Sequence, residues 1–112
     1  MKSVFVYCEV ENEKVAEISQ ELLSAGKRLA QKLGCPLEAM IFGKNLKGIE
    51  SEISPYGVDK LFVADDVRLD PYTTLPHAAL AYKILKQQDP QIVLFGATSI
   101  GRDLAPRLAS KL

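Results

Sequence analysis

The sequence predicts an α/β domain, a parallel sheet with helices on both faces. Three observations carry this. Four short apolar runs, near residues 4–10, 37–42, 59–64 and 92–95, are rich in Val, Ile, Leu and Phe and are close to continuous in apolar character. Strands buried on both faces read this way. Longer stretches between the runs repeat their apolar residues at helical spacing. Strand and helix signals therefore alternate four times, with no internal repeat and no linker, as in a parallel sheet crossed by helices.

Length and charge bound the rest. A chain of 112 residues forms one domain, residues 1–112. It buries roughly two-thirds of its unfolded surface, enough for a core. Hydrophobic residues make up 47%, which excludes disorder. Lys+Arg and Asp+Glu are 14 each, so nothing in the charge calls for nucleic acid or an acidic membrane as partner. No apolar run approaches the ~18 residues of a membrane span. The start, Met1-Lys2-Ser3-Val4, leads into a strand without a cleavage pattern, so a cytoplasmic protein is expected. Cys8 and Cys35 are too few for a disulfide framework or a zinc site and read as reduced thiols. The lone His77 has no metal-spaced companion, and no Ser-His-Asp or Cys-His arrangement is present.

The elements follow in order. Val4, Phe5, Val6, Tyr7, Cys8 and Val10 make the first strand, ended by Glu9 and Glu11-Asn12-Glu13. Those carboxylates are expected near the first turn of the next helix, where the dipole favours them. That helix is expected over residues 14–33, with Val15, Ile18, Leu22, Leu29 and Leu33 on one stripe. Gly26 weakens it by up to ~1 kcal/mol relative to Ala, which close packing on the sheet would explain. Gly34 and Pro36 stop it. Leu37 to Phe42 form the second strand. Leu46, Ile49 and Ile53 are spaced as a short helix, ended by Pro55-Tyr56-Gly57. The third strand spans residues 59–64 and leads into a polar connection over residues 65–72. Thr73 or Thr74 caps a third helix with Pro76 in its first turn. Asp89-Pro90 forces extension into the fourth strand.

The stretch over residues 91–103 organises the chain. Ile92, Val93, Leu94 and Phe95 precede a loop of small and hydroxyl residues, Gly96, Ala97, Thr98, Ser99 and Gly101. Pro106 lacks an N–H, so the last helix is expected to start near residues 101–103 and to leave Thr98 and Ser99 in the loop. A strand, a small-residue loop and a helix N-terminus suit an anion. Thr98, Ser99, Gly101 and Arg102 are therefore candidate anion-binding or interface residues. The plainer reading is a tight strand-to-helix turn. If the first strand is central and the fourth lies beside it, residues 8–11 face residues 96–102 at the carboxyl ends of the strands, where such folds bind ligands.

One block is specific: Val93-Leu94-Phe95-Gly96-Ala97-Thr98-Ser99-Ile100-Gly101-Arg102-Asp103-Leu104-Ala105-Pro106-Arg107. With Tyr56-Gly57-Val58-Asp59-Lys60-Leu61-Phe62-Val63, Tyr72-Thr73, and Glu21-Leu22-Leu23 ahead of Gly26-Lys27-Arg28-Leu29-Ala30, it resembles the N-terminal domain of the electron transfer flavoprotein alpha subunit. The resemblance covers essentially the whole chain. It implies an adenine nucleotide alpha-hydrolase-like (Rossmann-like) fold and a heterodimer with a beta subunit. It also implies electron transfer from acyl-CoA dehydrogenases or related flavoenzymes to an acceptor, with no catalytic residues in this domain. FAD would be held by a C-terminal domain that this chain lacks, so the fragment alone is expected to bind none. In the alpha subunit the loop with Thr98, Ser99, Gly101 and Arg102 would serve a structural, interface or vestigial anion role.

Two other readings stand beside this one: a free-standing nucleotide-binding module like a small stress protein, and a hydrolase or ligase of the same superfamily. Only Gly96 and Gly101 supply glycine to the loop, which is thin for either. Arg102 and Asp103 are expected to pair at the helix entry. The final helix runs to Leu112 without a stop signal, as if the chain were cut within a larger protein. The stripe Leu104, Leu108, Leu112 is expected to remain partly uncovered and to drive association.

Overall fold

The structure, a computed structural model, describes residues 2–112. Four parallel strands form the main sheet: β1 (Val4–Cys8), β4 (Leu37–Gly43), β5 (Lys60–Asp65) and β6 (Ile92–Leu94). A two-stranded ribbon, β2 (Val10–Glu11) and β3 (Lys14–Val15), lies between β1 and the first helix. The helices are α1 (Glu17–Leu33), α2 (Glu50–Ile53), α3 (Thr74–Gln88) and α4 (Ser99–Lys111).

The main sheet runs β5-β4-β1-β6. Val4 pairs with Leu37 on one side and with Ile92 on the other. The first strand is therefore central, beside the last, as the ligand-site argument required. All five β1 residues are buried. Alternation sends Val4, Val6 and Cys8 to one face, with Ala39, Ile41, Leu23 and Ala30. It sends Phe5 and Tyr7 to the other, with Met40, Phe42, Ala81, Leu85, Leu104 and Leu108. Thus α1 covers one face while α3 and α4 cover the other.

Gly26 is where α1 touches the sheet. A Cβ there would lie 3.0 Å from Leu37 and 3.1 Å from Val6. Close approach, not flexibility, accounts for the glycine. Leu46, Ile49 and Ile53 are buried, as their spacing predicts. In the polar connection Asp66 caps a 3₁₀ turn, Val67–Leu69, by accepting the Arg68 N–H at 2.9 Å. The Asp70–Pro71 peptide is cis.

Several expectations are corrected. The first helix begins at Glu17, not at residue 14, because residues 10–15 fold back as a hairpin. Its turn residues Asn12 and Glu13 have φ of 53° and 63°, which matches the two-residue turn favoured between twisted strands. Leu33 is exposed and lies off the packed stripe. Thr73 occupies the N-cap of α3 without a side-chain capping bond. The last helix begins at Ser99, so Pro106 lies inside it. Pro106 and Arg102 are both exposed, so water can reach the Arg102 carbonyl that lacks a helical donor. Leu104 and Leu108 are fully covered by the chain itself, and only Leu112 of the expected stripe stands out.

Candidate functional site

The β6–α4 turn is built around one hydroxyl. Thr98 is extended and caps α4, and its Oγ1 accepts the Gly101 N–H at 3.0 Å. The same oxygen donates its proton to Glu9 Oε2 at 2.6 Å. Glu9 follows β1 and is only 8% exposed. Its N–H donates to Ser19 Oγ at 2.7 Å, and its carbonyl accepts the Ala16 N–H at 2.9 Å. The residue is thus fixed at both its backbone and its side chain.

Both glycines of the turn are explained by this packing. A Cβ on Gly96 would lie 3.1 Å from Glu9 Oε2. A Cβ on Gly101 would collide with the Gly96 carbonyl oxygen. Of the candidate residues, the fold brings Thr98 and Gly101 together, with Gly101 buried in the first turn. Ser99 and Arg102 are exposed at the helix entry.

The expected Arg102–Asp103 pair does not form. Asp103 accepts hydrogen bonds from Thr74 Oγ1 at 2.6 Å and Tyr72 OH at 2.8 Å, and meets Arg107 Nε at 3.4 Å. Successive helical residues diverge, while residues four apart share a face. The hydroxyls of Thr74 and Tyr72, then Arg107, hold the Asp103 carboxyl below its usual range. Burial, then the bond to Asp103, pushes the Tyr72 phenol up to about 12.

Deeper in the same end of the sheet, His77 is held between β1 and the polar connection. Tyr7 OH and His77 Nδ1 are 2.8 Å apart, and His77 Nε2 is 2.9 Å from the Leu69 carbonyl. A carbonyl only accepts, so Nε2 carries the proton and Nδ1 accepts from Tyr7. Burial lowers the His77 pKa and raises that of Tyr7. Burial also raises the Cys8 thiol to about 12, an inert state. A cavity of about 30 Å³ remains between Glu9, Tyr7, His77, Tyr72 and Ile100. That is room for about one water, against the ~300–1,000 Å³ of small-molecule sites.

Sequence reasoning set the stretch over residues 8–11 opposite the turn but did not single out Glu9 as the partner of Thr98, and it missed the Tyr7–His77 pair. The one available signal was position: a single acid directly after a fully apolar strand, opposite the turn. Among the described residues no group of three or more His, Cys, Asp or Glu could hold a metal, and no helix is long and apolar enough to cross a membrane.

A family model described as the electron transfer flavoprotein domain matches residues 4–112. The chain belongs to the electron transfer flavoprotein domain family. It is 35% identical over 99% of its length to the electron transfer flavoprotein subunit alpha of Thermoanaerobacterium thermosaccharolyticum, covering 34% of that protein. It is 39% identical over the same share to Protein FixB of Clostridium saccharobutylicum, covering 33% of it. A third relative, 36% identical over 99% of the chain and covered over 30%, is the acryloyl-CoA reductase electron transfer subunit beta of Anaerotignum propionicum. This electron transfer flavoprotein domain thus spans about a third of the length of these relatives. In structure it is similar to a universal stress protein from Archaeoglobus fulgidus, with a TM-score of 0.59 and 14% identity. The likeness covers 95% of this chain and 92% of that one and bears on the fold alone, a Rossmann-like, adenine nucleotide alpha-hydrolase-like α/β domain.

Flavin is the group this family implies. The β6–α4 turn does not fit the phosphates of FAD, because a carboxylate already lies against it and the adjoining cavity is water-sized.

Proposed function

We propose that this electron transfer flavoprotein domain is the N-terminal domain of an alpha subunit and scaffolds a heterodimer with a beta subunit. The complex carries electrons from an acyl-CoA dehydrogenase or related flavoenzyme to an acceptor, in the cytoplasm. FAD belongs to the intact complex. The domain contributes shape and contact surface, with no catalytic residues of its own, and Thr98, Ser99, Gly101 and Arg102 serve the turn and the subunit surface. The observation that carries this reading is the family match across residues 4–112, together with relatives named as electron transfer subunits. The Glu9–Thr98 contact supports it over a free-standing nucleotide module, since a carboxylate already lies against the turn.

Gel filtration of the 112-residue chain with and without an electron transfer flavoprotein beta subunit tests the reading. The expected result is a colourless chain that co-elutes with the beta subunit. A stoichiometric flavin absorbance on the chain alone, or no complex with the beta subunit, overturns it.

A further inference from the structure

We propose that Glu9 is the resident anion of this domain: its carboxylate holds the position between the end of β1 and the β6–α4 turn that an external phosphate would have to enter. The inference does not depend on the electron-transfer reading. It rests on four features of the turn. Glu9 is more than nine-tenths buried, and its Oε2 takes the Thr98 hydroxyl proton at 2.6 Å. The same hydroxyl accepts the Gly101 N–H, so the charge is relayed onto the first turn of α4. Negative charge is favoured at a helix N-terminus, and here the chain supplies it. Gly96 abuts Glu9 Oε2 rather than open space, and Gly101 abuts the Gly96 carbonyl, so the small residues fit the turn to its own carboxylate. The backbone of Glu9 is tied to Ser19 and Ala16, which fixes where its side chain leaves the chain, and the Thr98 hydroxyl holds the carboxylate itself.

A second anion entering here would meet a buried like charge. Glu9 is thus a specificity-determining residue by exclusion. Removing it converts an internally satisfied turn into one open to external anions.

The test titrates inorganic phosphate into the wild-type chain and the Glu9→Ala variant and follows the amide resonances of residues 96–101. Wild type is expected to show no saturable shift. Glu9→Ala is expected to bind at least about tenfold more tightly, or 1.4 kcal/mol. Sodium acetate, an external carboxylate, is expected to compete with phosphate and to raise the melting temperature of Glu9→Ala but not of wild type. Saturable binding at the turn of wild type, or no gain in Glu9→Ala, overturns the proposal. Glu9→Ser replaces Glu9→Ala if the latter fails to fold. Failure of both to fold, with no recovery in acetate, also overturns it, because the proposal requires that an external anion can stand in for the side chain.

Discussion

His77 shows what a single buried group does to the pH response. As the neutral ring it accepts from Tyr7 and donates to Leu69. Protonated, both nitrogens donate, so the Tyr7 oxygen has to accept from Nδ1 and its own hydroxyl proton loses its acceptor. Burial depresses the folded-state pKa below the ordinary value of about 6.5. Below that ordinary value the unfolded chain takes up a proton that the folded chain refuses. Stability therefore falls as pH drops from about 6.5 and levels off once pH passes the folded pKa. Melting temperatures measured between about pH 7.5 and pH 5 should fall for wild type and fall less for His77→Gln. Equal slopes would remove His77 from the account. Gly101 sets two effects against each other. Alanine is the better helix former by about 1 kcal/mol, but its methyl strikes the Gly96 carbonyl. A backbone oxygen cannot move aside as a flexible side chain can, so overpacking wins. Gly101→Ala should lose roughly 1–3 kcal/mol in urea unfolding, and an unchanged midpoint would contradict the packing of the turn.

At the scale of elements, α4 carries both a buried and an exposed leucine. Leu104 is fully buried against the sheet while Leu112 is 60% exposed. Leu104→Ala should lose about 2–5 kcal/mol and Leu112→Ala less than ~0.5 kcal/mol by chemical denaturation. Pro106 is exposed within the helix, so Pro106→Ala should raise stability by roughly 1–3 kcal/mol, read as a higher denaturant midpoint. The same elements show what the sequence made legible. Strands buried on both faces and one long amphipathic helix leave continuous or periodic patterns, so the alternation of strands and helices was legible, while the sheet order entered only as a condition that the structure meets. Strands of two residues leave no pattern, so the β2–β3 ribbon stayed hidden behind the carboxylates of Glu11 and Glu13. The start of α4 was misplaced because Pro106 outweighed the Thr98 cap. At the turn, glycines and hydroxyls drew attention to residues 96–101, while Glu9 lies 89 positions from Thr98 and only the conditional strand order, not a local signal, set its stretch opposite them.

For the whole molecule, covering Leu104 and Leu108 removes the main expected drive to associate through α4. What remains apolar at this end is a groove of about 250 Å³ beside β6, lined by Val93, Phe95, Ala105, Ala109 and Leu112 among others. Leu112→Ser should leave the mass measured by sedimentation equilibrium unchanged. A drop in mass would show that the exposed end of the stripe holds copies together.

The two neighbours of β1 also set a timetable for folding. Val4 meets Leu37 across one intervening helix, and Ile92 across a stretch more than twice as long. Each doubling of a closed loop adds about 0.6 kcal/mol of entropy loss, and distant pairings form slowly. The β1–β4 pair should therefore acquire amide protection in pulse-labelled refolding before β6 and α4 do. Until β6 docks, the Glu9 carboxylate has no Thr98 to meet and stays hydrated at the end of a half-built sheet. Its desolvation is then a late step, completed only when the last strand arrives.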